Sequence, residues 1–139
     1  MDCPLCDSPS GELLWQDDFC RVVYVTDTPA YPGFCRVILK RHAKEMTDLA
    51  PPERSRLMMT VMKTEQAIRD TLNPDKINLA SLGNVVPHLH WHVIPRFADD
   101  PHFPNPIWGE RRAGATHAGP PDLAAQLARH LRDAFEGGR

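Results

Sequence analysis

"PHLHWHVIPR", residues 87–96, carries a histidine at every second position, with Leu89 and Trp91 between them. A period of two is the mark of a half-buried strand, in which side chains i, i+2 and i+4 share a face. On that reading His88, His90 and His92 look one way, about 6–7 Å apart along the backbone. Leu89, Trp91 and Val93 look the other way, into a core. Groups of this kind repel one another if they charge together, so the row favours neutral imidazoles with linked titrations. Three chemistries suit it. The histidines line a half-exposed sheet face; or two of them ligate a zinc or iron ion, completed by a ligand from elsewhere; or the central imidazole is a nucleophile that its neighbours orient or supply with protons.

The flanking sequence builds a scaffold around this strand. "KINLASLGN" (residues 76–84) reads as a strand ending in a turn at Gly83-Asn84, and Pro95 is expected to end the histidine strand. "FCRVVYVTD" (19–27) and "FCRVILK" (34–40) are rich in β-branched and aromatic residues and predict an antiparallel hairpin across "TPAYPGF". Between the two pairs, Pro51-Pro52 opens a long helix that Asn73-Pro74 stops. Leu57, Met58, Val61, Met62, Ile68 and Leu72 form its apolar stripe. Residues 98–121 are dense in proline, glycine and charge, and predict irregular chain anchored by Phe103, Ile107 and Trp108. Asp122 then caps a final helix with Leu123, Leu127, Leu131 and Phe135 four apart, a stripe that needs a partner surface. Strands segregated around one helix predict an α+β domain with an antiparallel sheet.

Composition narrows the function classes. The chain has 139 residues, 42% hydrophobic and 24% charged, with a formal net charge of -2. That charge argues against a nucleic-acid partner held by a basic surface. There is no apolar run of membrane-spanning length, so no membrane partner is expected. "MDCPLCDSPS" at the N-terminus lacks the cationic flank and apolar run of a secretory signal, so the cytoplasm is the expected compartment. Thiols stay reduced there, which makes Cys3 and Cys6 candidate metal ligands, and Cys20 and Cys35 small apolar residues inside strands. A lone Cys-Pro-Leu-Cys supplies two of the four ligands a zinc ion takes. His102, His117 and His130 read as surface residues.

"HLHWHVI" (88–94) resembles the motif of the histidine triad family: His, apolar, His, apolar, His, apolar, apolar. "LGN" ahead of it, "PR" directly after it and Arg41-His42 behind an earlier strand are similar to the same family. "PGFCRVILKRHAKEMTDL" and "KINLASLGNVVPHLHWHVIPRF" resemble a bacterial branch. The resemblance covers residues 10–98 and implies the HIT-like α+β fold: an antiparallel sheet of about five strands, one long helix and a C-terminal helix. Residues 1–139 would be a single domain, with 99–139 as irregular tail and helix.

The resemblance further implies a hydrolase of nucleoside 5′-phosphate derivatives, either dinucleoside polyphosphates or nucleoside phosphoramidates. His90 would attack the α-phosphorus, form a nucleotidyl-histidine intermediate and release a nucleoside monophosphate to water. His92 would meet the α-phosphate or the departing atom, and His88 would brace the site, through His42. Asn84 stands where the family usually carries a glutamine, and Val85 where it usually carries serine or threonine. Asp27 or Thr26 would hold a ribose hydroxyl, and Asn78 would support the site by hydrogen bonds. Catalysis would need no metal, while some relatives with an N-terminal cysteine pair carry a structural zinc; the matching ligands are Cys3, Cys6, His42 and His88. A homodimer is the implied assembly, and Trp108 either packs over the tail or reaches a neighbouring subunit. The alternatives are a nucleotidyltransferase of the same mechanism, a metal-dependent enzyme using the histidine face as ligands, and a nucleotide-binding regulatory protein.

Overall fold

The computed structural model describes residues 3–112, 114, 117 and 119–136. Five strands form one antiparallel sheet in the order β1-β2-β3-β5-β4: β1 Glu12–Gln16, β2 Cys20–Tyr24, β3 Cys35–Leu39, β4 Lys76–Ala80 and β5 His90–Arg96. The helices are a single turn α1, Pro4–Asp7, the long α2, Pro51–Leu72, and α3, Leu123–Glu136. The architecture is the α+β arrangement that the histidine motif implied: an antiparallel sheet of five strands, one long helix and a C-terminal helix.

The register of β3 on β5 sorts the chemistry. Cys35 pairs with Val93 and Val37 with Trp91; the first three belong to the main core cluster, together with residues of α2 and α3, and Trp91 packs against it half-buried. The alternate pairs, Arg36 with His92 and Ile38 with His90, fall on the opposite face. One face of the sheet is therefore core and the other carries His90 and His92; His88, expected on the same strand face, lies ahead of β5 in the approach to it.

Several local readings need correction. β1 was not anticipated: "ELLWQ" has no β-branched residue, and a bulge between Leu13 and Trp15 breaks its alternation. Pro95 does not end its strand, which continues to Arg96. Pairing with β3 stops at Val93, so beyond it β5 has β4 as its one neighbour among the described strands, and a residue without an N–H is accommodated. On α2, Leu57, Val61 and Ile68 are buried as expected, but Met62 is 41% exposed. Its place inside is taken by Thr60, Thr64 and Ala67. The threonines bury cheaply because their hydroxyls donate to carbonyls one turn back, Thr64 to Thr60 at 2.8 Å and Thr60 to Arg56 at 3.3 Å. Asp122 precedes α3, and its carboxylate accepts from the side-chain amide of Gln126 at 2.7 Å.

The final helix closes on this chain. Leu123, Leu127 and Leu131 are buried in the main core, and Phe135 stacks on Trp15 of β1 with ring centroids 3.7 Å apart. The tail after β5 is tied down by Arg96, whose guanidinium donates to Asp100 at 2.7 and 3.0 Å, to the Asn78 side chain at 2.8 Å and to the Asn105 carbonyl at 2.8 Å. Among the described residues no helix is long and apolar enough to cross a membrane.

Candidate functional site

Burial does not leave the histidine row as an open surface. His90 is 8% exposed, His92 6% and His88 fully buried. Each ring has a different set of neighbours, so the three are not equivalent.

His90 opens β5. Its Nδ1–H donates to the carbonyl of His88 at 2.6 Å, which fixes the tautomer and leaves Nε2 with a free lone pair. Burial holds its pKa below the ordinary imidazole value, against the opposing pull of that carbonyl, and the nearby Arg36 charge lowers it further. Near neutral pH the ring is an uncharged base. It is the one triad ring that lines two clefts. The first, about 450 Å³, is bounded by Arg36, Asn84, Val85, His90, His92 and Trp108, and closed by Pro4 and Leu5 of the N-terminal turn. The second, about 410 Å³, lies along Lys44, Thr47, Ser81 and Gly83.

His92 packs edge-on against His90 and Trp108, with centroids 4.9 Å away in each case, and tilted on Phe34 at 5.7 Å. Burial, then the charges of His90 and Arg36, push its pKa down to about 3, so it offers a neutral N–H rather than a titrating acid. Its Nδ1 is buried without a partner among the described residues.

His88 turns away from the cleft chemistry. Its Nε2–H donates to the Leu39 carbonyl at 2.6 Å, and its Nδ1 faces the two N-terminal thiols. The turn α1 prepares them: Pro4 occupies the first helical position, and the Cys3 carbonyl accepts from the N–H groups of Cys6 and Asp7, bringing both sulfurs to one side. Arg21 on β2 pins the turn by donating to the carbonyls of Leu5 and Ser8 at 2.8 and 2.9 Å. Cys3 Sγ lies 3.5 Å and Cys6 Sγ 3.3 Å from His88 Nδ1, while His42 Nδ1 is 3.4 Å from Cys6 Sγ and 3.2 Å from His88 Nδ1. All four donor atoms lie within 4.8 Å of one another and could hold a metal ion. Tetrahedral zinc with ordinary bond lengths separates sulfur from nitrogen by about 3.5 Å and nitrogen from nitrogen by about 3.3 Å, which this cluster fits. The Leu39 carbonyl on the far nitrogen is the outer contact such a ligand uses.

The expected residues thus divide. Asn84, His90 and His92 share one cleft; Cys3, Cys6, His42 and His88 form a separate cluster. Thr26 and Asp27 lie exposed beyond β2 and line neither cleft; Asp27 accepts from the Thr28 hydroxyl. Asn78 sits in β4 opposite Ile94 and accepts from Arg96. Cys20 and Cys35 are buried, with thiols raised to about 11 and about 12 by burial, as packing residues should be. Val85, where the expected hydroxyl is missing, is 92% exposed. Two members of the cleft were not anticipated there, Arg36 and Trp108. Arg36 was legible in principle: once "FCRVILK" pairs with the histidine strand, alternation sets residues 34, 36 and 38 on the histidine face.

Comparison with known proteins gives this arrangement its relatives. Residues 10–99 match the HIT domain. The chain is 30% identical over 93 residues to a bis(5′-nucleosyl)-tetraphosphatase (asymmetrical) of Schizosaccharomyces pombe, covering 63% of this chain and 51% of that protein. It is 30% identical over 89 residues to an AP-4-A phosphorylase of Mycobacterium tuberculosis, covering 60% and 46%. The matched stretch spans about half the length of these curated relatives. Among solved structures, a histidine triad protein from Sinorhizobium meliloti superposes with a TM-score of 0.71 at 26% identity, covering 89% of each chain. A zinc-bound histidine triad family protein from Mycobacterium smegmatis gives 0.70 at 22% identity over 99% and 98%, a likeness of fold. With the family motif running from the approach to β5 into the strand and the fold around it, this chain belongs to the HIT domain family.

Proposed function

We propose that the protein hydrolyses nucleoside 5′-phosphate derivatives through a covalent intermediate on His90. The observation that carries this is the 2.6 Å bond from His90 Nδ1–H to the His88 carbonyl, which leaves Nε2 as an unprotonated nucleophile beside a cleft. In the first step the Nε2 lone pair bonds to the α-phosphorus and the bond from phosphorus to the leaving group breaks. The departing atom keeps the electron pair and takes a proton from solvent if its basicity requires one. The ring is now a phosphorylated imidazolium, and the His88 carbonyl on its Nδ1–H stabilises that charge. Water then attacks phosphorus and gives a proton up to solvent, the phosphorus–nitrogen bond breaks with its electron pair returning to Nε2, and His90 returns as neutral imidazole with a nucleoside monophosphate released. His92 donates a neutral N–H in the same cleft, and Asn84 offers its amide to the bridging atom. Thr26 or Asp27 would meet a ribose hydroxyl only with a long reach from the end of β2, and Asn78 acts through Arg96.

His88 contributes its carbonyl to His90 and its ring to a structural zinc shared with Cys3, Cys6 and His42. This assignment draws support from the donor set and its spacing. A metal-dependent chemistry on the whole histidine face has less support, because among the described residues only His88 of the three joins the metal cluster. The reading extends to a two-fold dimer, for which β4 offers an outer edge unpaired among the described residues. Light scattering should give twice the mass of the chain, and a monomer would contradict this part.

Incubation with diadenosine tetraphosphate and with adenosine phosphoramidate, followed by chromatography for adenosine monophosphate, tests the activity. His90→Ala should abolish release, while persistent turnover in that variant would contradict the assigned nucleophile. The M. tuberculosis relative is a phosphorylase. Phosphate added to the assay would divert product to adenosine diphosphate if the acceptor were phosphate rather than water.

A further inference from the structure

Among the described residues Arg36 is the one permanently charged side chain lining the His90–His92 cleft, and none of those residues lining it is acidic. It makes no ion pair or hydrogen bond with any described residue and is half-buried, whereas Arg21, Arg41, Arg54, Arg56 and Arg96 are engaged and Arg69, Arg111, Arg112, Arg129 and Arg132 are exposed to water. Its position is fixed twice over. The register of β3 on β5 sets it directly opposite His92. Its guanidinium also lies 5.6 Å over the ring of Phe34, the same buried ring that His92 packs against. Cation and imidazole are thus held at neighbouring points around one aromatic side chain. A half-buried guanidinium without a counter-ion beside neutral imidazoles leaves the site with a positive charge to be matched from outside. The loop on the same cleft supplies little else: Val85 has no hydroxyl, and Asn84 is neutral.

We propose that Arg36 is the anion anchor of this cleft, gripping the phosphoryl oxygens of the nucleotide that His90 attacks. The inference rests on reading the cleft as a nucleotide site. A guanidinium matches the geometry of two phosphoryl oxygens, and it stabilises the charge that spreads over them as the leaving group departs. Arg36 would then act in binding and in the chemical step alike.

Titration calorimetry of the full chain with adenosine monophosphate and with adenosine decides the matter without needing turnover. The unmodified protein should bind the monophosphate at least about tenfold more tightly than the nucleoside, the scale of a charge-assisted bond. Arg36→Gln should erase that margin and leave adenosine binding within about twofold, since only the phosphate contact is removed. Should Arg36→Gln fail to fold, judged by its thermal melt, Arg36→Lys carries the test: a point charge without the planar fork should weaken the monophosphate selectively. An undiminished preference for the monophosphate in these variants, or no preference in the unmodified protein, would overturn the proposal. Failure of the hydrolase reading looks different: an Arg36-dependent preference for the monophosphate in a protein that never releases it from a substrate.

Discussion

The Nδ1–H of His90 is committed to a backbone carbonyl, so its protonation state at Nε2 alone decides reactivity. Because burial depresses its pKa below 6.5, the nucleophile stays unprotonated under mildly acid conditions. The acid limb of kcat/KM should therefore have its midpoint below 6.5, and a midpoint above that value would contradict the burial argument. His92 gives a second pH effect, on stability. The folded chain refuses a proton there until about pH 3, whereas the unfolded chain accepts one near 6.5. Between those values the unfolded state binds more protons, so stability is complete above 6.5 and is lost as the pH falls through that window. Urea titrations from neutral pH down to about 5, before most carboxylates titrate, should show stability declining with acid. A flat profile would refute a neutral, buried His92. At this scale the motif made His88, His90 and His92 legible. The resemblance also implied separate roles for them, but not their tautomers, which follow from the carbonyls of Leu39 and His88 placed against the rings.

Elements determine which side chains meet. The α2 helix was readable at both ends, because Pro51 starts it and Asn73 closes it in the left-handed conformation at φ 48°. Its buried threonines and the bulged β1 were not readable, since hydroxyl burial and a broken alternation both disguise an apolar face. The α1 turn and the strand ends bring Cys3, Cys6, His42 and His88 together from three separate stretches of chain. Cys6→Ser should reduce bound zinc from about one ion per chain to none and lower the melting temperature. A purified native protein free of zinc would contradict the assignment. Gly33, between β2 and β3, has φ +89°, and an added methyl would meet Leu72. Gly33→Ala should cost about 1–3 kcal/mol in denaturant unfolding, and an unchanged midpoint would argue against that backbone conformation.

The whole molecule is closed by contacts that span the sequence. The apolar stripe of α3 announced that it needed a surface, but not that the surface is β1 and α2 of the same chain. Leu127→Ala should destabilise the fold by about 2–5 kcal/mol by chemical denaturation, as a fully buried leucine does; a change within error would place α3 elsewhere. Arg36 illustrates the same limit from the functional side. Nothing in "FCRVILK" marks it as special until β3 lies beside β5 and the charge stands opposite His92.

The most direct test of the account is a mass spectrum of protein mixed rapidly with adenosine phosphoramidate and quenched in alkali, where a phosphorylated imidazole survives. The account predicts one adenylyl group per chain, located by fragmentation on His90 and absent from His90→Ala. Steady release of adenosine monophosphate with no adduct at any mixing time, or an adduct on another residue, would contradict it.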